Sequence, residues 1–214
     1  MLNKNWSFYG AKPFEHWVIN DFIDAKTVAA INAEWPLEWY TEEGKNAVKK
    51  STGDLTPAAA AVAAEMQAPE FCEWLSKLVG IPKLLPDPEH FGGGLHCIER
   101  GGYLKMHLDF NQRKTEKGTF YRRVNVLVYL NVNWRREWGG QLLLGKEGLQ
   151  TAIDPLAGLC AIFPTTEKSW HGHPAPLQCP EGVQRRSMAL YYYTREEPEG
   201  LEDHRRVTSY EGKK

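Results

Sequence analysis

The sequence predicts an α+β chain in which helices come first and a run of short strands follows, as an antiparallel sandwich or jelly roll. Three observations predict it: capped helical patterns before residue 90, about eight short β-type runs after it, and turn residues rather than helices between those runs. A length of 214 residues fits one domain, expected as a mainly helical part over 1–90, a jelly-roll core over 91–195 and a charged, peripheral tail over 196–214.

The first helix is signalled by Asp24 as a cap, with Val28, Ile31 and Trp35 on one face and Pro36 as its stop. Thr56-Pro57 pairs a capping residue with proline at the first helical position and opens an alanine-rich run to about Gln67. Phe71, Trp74, Leu75, Leu78 and Val79 keep helical spacing up to Gly80. Between the first two helices, 37–54 is polar and poorly patterned, so it reads as a loop over a site or as plain surface. Strands are expected near Leu95–Glu99, Tyr103–His107, Arg123–Asn131, Gln141–Leu144, Leu149–Ile153, Gly158–Phe163, Ser169–Pro174 and Gln184–Thr194. Gly101-Gly102, Gly139-Gly140, Asp154-Pro155 and Pro180-Glu181-Gly182 supply turns between them.

Hydrophobic residues make up 42 % of the chain and aromatics 12 %, enough for a substantial core. A formal net charge of -1 without a basic tract argues against nucleic acid or an anionic membrane as partner. Met1–Trp17 lacks the continuous apolar segment of a signal peptide or membrane span. Cys72, Cys97, Cys160 and Cys179 lie far apart without a Cys-x-x-Cys pair, which points to a reducing, cytoplasmic setting rather than a zinc module or a disulfide framework. Oligomeric state leaves no mark in the sequence.

The chemistry is concentrated in three places. His107-Leu108-Asp109 closes an alternating run, Tyr103-Leu104-Lys105-Met106, and a strand there puts His107 and Asp109 on one face. His171-Gly172-His173 follows, with both histidines able to face a cavity. Arg185-Arg186-Ser187 then opens an apolar run. Alone, a His-x-Asp triplet arises by chance on many surfaces. Two histidines and one carboxylate, however, can occupy one face of an octahedral ion and leave three positions free, the donor set that suits a reactive non-haem Fe(II). A basic residue on the next strand can then hold the far carboxylate of an organic acid chelated to the metal. Arg185 and Arg186 are adjacent, so they point to opposite faces and only one reaches inward.

Gly101-Gly102-Tyr103-Leu104-Lys105-Met106-His107-Leu108-Asp109-Phe110 resembles the first-ligand motif of Fe(II)/2-oxoglutarate-dependent oxygenases of the prolyl-4-hydroxylase-like group. Val128-Tyr129-Leu130-Asn131, Trp134, Trp138-Gly139-Gly140-Gln141-Leu142, Phe163, Trp170-His171-Gly172-His173 and Arg185 to Tyr191 are similar to the group's remaining signatures, in order, over roughly 90–194. The resemblance implies a double-stranded β-helix, a cupin-like jelly roll, with metal at its open end and supporting N-terminal helices. It implies His107, Asp109 and His171 as Fe(II) ligands, with His173 as an outer or substrate-facing group. Arg185, through the relatives' Arg-x-Ser pattern, and Tyr129 would bind the distal carboxylate of 2-oxoglutarate. Asn125, sharing the parity of Tyr129, and His96, ahead of the metal motif, are candidate substrate residues.

The reaction the resemblance implies uses O2, converts 2-oxoglutarate to succinate and CO2, and hydroxylates an unactivated C–H; ascorbate is a candidate reductant. The substrate expected first is a prolyl residue in a peptide or protein, and next a free amino acid or other small metabolite. A non-catalytic metal-binding cupin would need neither Arg185 nor Tyr129. A zinc hydrolase would need a catalytic base or a His-Glu-x-x-His helix, neither of which is evident. Nucleic-acid demethylases of the superfamily carry a second arginine where this chain has Met188-Ala189-Leu190-Tyr191.

Overall fold

Fifteen strands among the described residues join by antiparallel pairing into one curled sheet, with three helices packed on one outer face. The structure is a computed structural model and describes residues 2–36, 38–87, 89–146, 148–200 and 206–211. The strands are β1 (Phe8–Gly10), β2 (His16–Ile19), β3 (Tyr40–Glu43), β4 (Ala47–Thr52), β5 (Leu85–Pro86), β6 (Gly94–Ile98), β7 (Tyr103–Leu108) and β8 (Gln112–Thr115). They continue with β9 (Gly118–Tyr129), β10 (Leu142–Leu144), β11 (Thr151–Ile153), β12 (Cys160–Pro164), β13 (His171–His173), β14 (Arg185–Thr194) and β15 (Ser209–Tyr210). The order is β1-β2-β12-β9-β14-β6-β4-β7-β13-β10-β11, with β15 on β7, β3 on β4, β5 on β14 and β8 on β9. This is the expected double-stranded β-helix.

The helices are α1 (Ala25–Ala33), α2 (Pro57–Gln67) and α3 (Pro69–Val79). Asp24 caps α1, its carboxylate accepting from the Thr27 amide at 2.7 Å. The helix ends at Ala33, before Trp35, which packs on the core from outside it. Thr56 departs from expectation: its side chain makes no capping bond, and Glu34 instead reaches across from the end of α1 to accept from the Ala58 amide at 2.7 Å. The acceptor for an exposed helix N-terminus therefore comes from a neighbouring helix. Gly80 ends α3 in the left-handed conformation, φ 68°.

Strand alternation divides the molecule. Val124, Val126, Val128 and Leu130, with Met188, Leu190 and Tyr192, point outward to Val28, Ile31, Val62, Met66, Phe71 and Leu75 of the helices, forming the main core. The residues between them point inward. A second cluster, including Phe14, Leu142, Leu144 and Phe163, fills one part of the barrel interior, and Ile98, Trp134, Leu177 and Cys179 form a third. Leu177 and Cys179 belong to the proline-containing loop between β13 and β14, which is tied down where the Gly101 amide donates to the Leu177 carbonyl and the Leu177 amide to the Gly102 carbonyl. The four cysteines are free and buried.

Three expectations need correction. Residues 1–90 hold five strands besides the helices. The segment expected as loop or surface contains β3 and β4, and β4 is inserted between β6 and β7; Leu37 lies outside the described residues. Its side chains are mostly exposed or half-buried, so no hydrophobic alternation marks the strands. The tail is also not wholly peripheral: Ser209 and Tyr210 pair with Leu108 and His107, while 201–205 and 212–214 lie outside the described residues. A two-residue strand is too short to carry a periodic signal. No helix among the described residues is long and apolar enough to cross a membrane.

Gly172 lets β13 approach β7: a Cβ there would meet the Lys105 and Leu104 carbonyl oxygens at 2.7 and 2.8 Å. Gly172→Ala is expected to cost about 1–3 kcal/mol of stability, the range for overpacking, read from urea unfolding.

Candidate metal centre and co-substrate pocket

The pairing of β13 with β7 sets His171 directly across from His107. A register shift between His171 and His173 makes His173 pair with Leu104, a bulge of the kind that re-aims side chains near active sites. Asp109 follows β7 immediately. The ligating atoms of His107, Asp109 and His171 all lie within 4.8 Å of one another, and all three residues are buried. His107 Nε2 stands 3.6 Å from Asp109 Oδ1, and His171 Nε2 3.4 Å from Oδ2. Donors at right angles and roughly 2.1 Å from one ion lie about 3 Å apart, close to the two His–Asp separations.

Protonation favours the same use. His107 Nδ1 donates to the Lys105 carbonyl and His171 Nδ1 to the Ser169 carbonyl, both at 2.9 Å, which leaves each Nε2 lone pair facing inward. Burial pushes the His171 imidazole down to about 4, with His107 beside it adding to the effect. Burial alone would raise the Asp109 carboxyl, but Arg122, His171 and His107 outweigh it and hold the group well below the usual carboxylate range. A neutral His171 imidazole and an ionised Asp109 carboxylate are the forms a metal takes.

A cavity of about 250 Å³ extends from this triad into the barrel. Arg185, Ser187, Ala189 and Tyr191 line it from β14, Asn125, Leu127 and Tyr129 from β9, and His96 and Ile98 from β6. Arg185 is buried; its Nε donates to the Gly140 carbonyl at 2.7 Å, and its guanidinium carbon lies 5.1 Å from the centre of the Tyr129 ring. Gly140 is required there: it has φ +75°, and a Cβ would meet Arg185 Cδ at 2.9 Å. The Tyr129 hydroxyl is buried without a hydrogen-bond partner. An orphaned phenol beside a buried guanidinium is a fit for a carboxylate, which accepts from both. Arg186 points the other way, to Asn32 Oδ1 at 3.0 Å and over the Trp35 ring.

The remaining candidates also reach the cavity. His173 is buried with neither ring nitrogen bonded, and burial followed by Arg185 lowers its pKa well below the ordinary value. His96 has an unpartnered Nε2 and is pushed down to about 3, by burial first and Lys49 next. Asn125 lines the cavity, but its amide is engaged by Asp109 and Arg122 rather than held free. His173 does not join the converging triad.

Sequence reasoning missed Arg122, Lys49, Glu42, Phe110 and Tyr210, which also line the cavity. Arg122 has the wrong strand parity for Asn125. A register shift lets Tyr192 pair with Val124 and Tyr193 with Arg122, so one extra residue in β9 returns Arg122 to the inner face. Lys49 and Glu42 lie on the unpatterned strands, and Tyr210 on the short returning one.

The model of the 2OG-Fe(II) oxygenase superfamily matches residues 93–193. Over that stretch, which carries the metal triad, the chain is similar to oxygenases that use Fe(II), 2-oxoglutarate and O2. The fold is similar to that of a prolyl-4-hydroxylase from Pseudomonas putida, with TM-score 0.61 and 20% identity over 85% of this chain and 93% of that one. It is also similar to a Trichoplax adhaerens prolyl hydroxylase solved with a hypoxia inducible factor oxygen degradation domain peptide fragment, with TM-score 0.58 and 18% identity over 83% of each chain. HygX from Streptomyces hygroscopicus, solved with nickel, 2-oxoglutarate and hygromycin B, gives TM-score 0.59 and 13% identity over 84% of this chain and 83% of that one. No curated protein matches the sequence.

His171→Ala is expected to abolish metal retention by the apo-protein, whereas His173→Ala keeps it; equilibrium dialysis against Fe(II) or Mn(II) separates the two. Arg185→Ala is expected to weaken 2-oxoglutarate binding by about 2 to 5 kcal/mol, tens- to thousands-fold, while Arg186→Ala changes it little. Equal, small losses for both arginines would remove the clamp.

Proposed function

We propose that this chain is a 2-oxoglutarate-dependent non-haem iron dioxygenase that hydroxylates a prolyl residue of a peptide or protein. The supporting observation is an open groove of about 640 Å³ along β3 and β4, bounded by Trp39, Tyr40, Ser51, Thr52 and His90, which shares Glu42, Lys49 and Gly92 with the metal cavity. The cavity itself, about 250 Å³, is smaller than the roughly 300–1,000 Å³ of pockets that enclose a drug-sized ligand. Co-substrate and one compact ring fill it, and the rest of the substrate lies outside, where the groove runs. Phe110, Tyr191 and Tyr210 give the inner wall the aromatic surface that a saturated ring packs on.

In this reading His107, Asp109 and His171 hold the metal on one face and leave the opposite face to the reactants. Bound iron, with 2-oxoglutarate and O2, supplies an oxidant for an unactivated C–H, and succinate, CO2 and the alcohol are the products. Arg185 and Tyr129 fix the distal carboxylate, and so set the angle at which the other end of the co-substrate reaches the metal. His96 and His173, neutral and unpartnered, offer an N–H or a lone pair to whatever lies between. Burial of the cavity keeps side reactions with water down. The free cysteines suit a reducing cytoplasm.

A free amino acid is the second reading, favoured by Lys49: its ion pair with Glu42 spans 3.9 Å, so the ammonium at the mouth is open to a substrate carboxylate. Mass spectrometry decides between them. Proline-containing peptides are expected to gain one oxygen atom, with succinate formed in step with product. Peptides left untouched, alongside a free metabolite that is oxidised and tightly coupled to succinate, would overturn the peptide reading.

A further inference from the structure

We propose that Arg122 and Asn125 are positioning residues that occupy Asp109 Oδ2 and leave only Oδ1 for the metal. Asp109 would then be held to a one-oxygen grip, and a coordination position would stay open. Oδ2 accepts from Arg122 Nη2 at 2.9 Å and from Asn125 Nδ2 at 2.8 Å. A carboxylate oxygen offers two lone-pair sites, so both are filled. The donors are tied to each other as well, since Asn125 Oδ1 accepts from Arg122 Nε at 3.1 Å. The three side chains thus form a closed ring of hydrogen bonds, and all are buried.

Arg122 cannot swing out of this ring. Its guanidinium carbon lies 3.4 Å from the centre of the Tyr191 ring and 4.7 Å from that of Phe110, stacked between two walls of the cavity. The bulge in β9 that brings Arg122 to the inner face gives the arrangement its origin in the backbone. Turning Asp109 to offer both oxygens would break two charge-assisted bonds inside a buried site. The consequence is one of counting. Three protein donors leave half of an octahedral ion to the reactants; a fourth, from Oδ2, would compete with the co-substrate for a position. This inference concerns the metal site and is independent of which substrate is hydroxylated.

The apo-protein can be titrated with Mn(II), using water-proton relaxation to count exchangeable waters on the bound ion, and then with 2-oxoglutarate. Wild type is expected to show about three waters, the positions opposite its ligands. Arg122→Met, which keeps bulk between Tyr191 and Phe110, and Asn125→Ala are each expected to hold Mn(II) at least as tightly and to show fewer waters. Both should bind 2-oxoglutarate at least about tenfold more weakly, roughly 1.4 kcal/mol, because Oδ2 then competes with it for a position on the ion. Removing a cation beside a dication does not weaken metal binding electrostatically, so metal retained with co-substrate lost separates positioning from a loosened fold, which lowers both. Arg122→Lys restores the charge and one donor and is expected to recover part of the co-substrate affinity. Variants that keep the wild-type water count, or that lose Mn(II) and 2-oxoglutarate affinity together, overturn the proposal.

Discussion

The antiparallel pairing of β9 with β14 is the contact on which the rest of the molecule depends. Ser187 stands opposite Tyr129, Ala189 opposite Leu127 and Tyr191 opposite Asn125, all on the cavity side. The residues between them, Val126, Val128, Met188 and Leu190, are buried against the helices. Each fully buried aliphatic side chain there contributes about 1.5–3 kcal/mol. A slip of one residue would expose that apolar set and turn Arg185 out of the barrel. The helix core therefore holds the register, and the register orients the site.

Inside the barrel, interactions run the other way. Arg185, Asp109 and Arg122 are buried charges, and Tyr129 and His173 carry buried polar atoms with no partner. Removing such groups from water is unfavourable unless something answers them. The Asp109–Arg122–Asn125 ring answers part of this within the protein. In the proposed reading a dicarboxylate answers Arg185 and Tyr129, so occupancy of the site is expected to stabilise the fold by linkage. An enzyme whose oxidant must be kept from water gains from a cavity that is complete only when loaded.

The mouth of the barrel is built by the segments with least pattern. β4 enters the sheet between the β6 and β7 strands with β3 on its flank, and β15 pairs with β7 on the edge opposite β13, so that Lys49, Glu42 and Tyr210 reach the cavity from parts of the chain remote from the motifs. The barrel bottom and the Arg185–Tyr129 end of the cavity rest on well-patterned strands. The mouth rests on short, polar ones, where a change of side chain disturbs little of the core.

The sequence by itself determined the elements with strong local signals. The capped or proline-led helices, the long alternating strands and the glycine turns were legible, as were the residue types in His107-Leu108-Asp109, His171-Gly172-His173 and Arg185-Arg186-Ser187, because caps, period-2 alternation and turn chemistry act within a few residues. Only the tertiary structure decided which of those residues converge. His171 rather than His173 meets His107 and Asp109 because a cross-strand register, bulge included, is set between strands far apart in the chain. Arg122 turns inward because one extra residue interrupts β9, and a bulge has no signature in side-chain periodicity. The pairings of β4 and β15 are made by backbone hydrogen bonds between polar segments, and such bonds are indifferent to side-chain type, so nothing in the residues announces them.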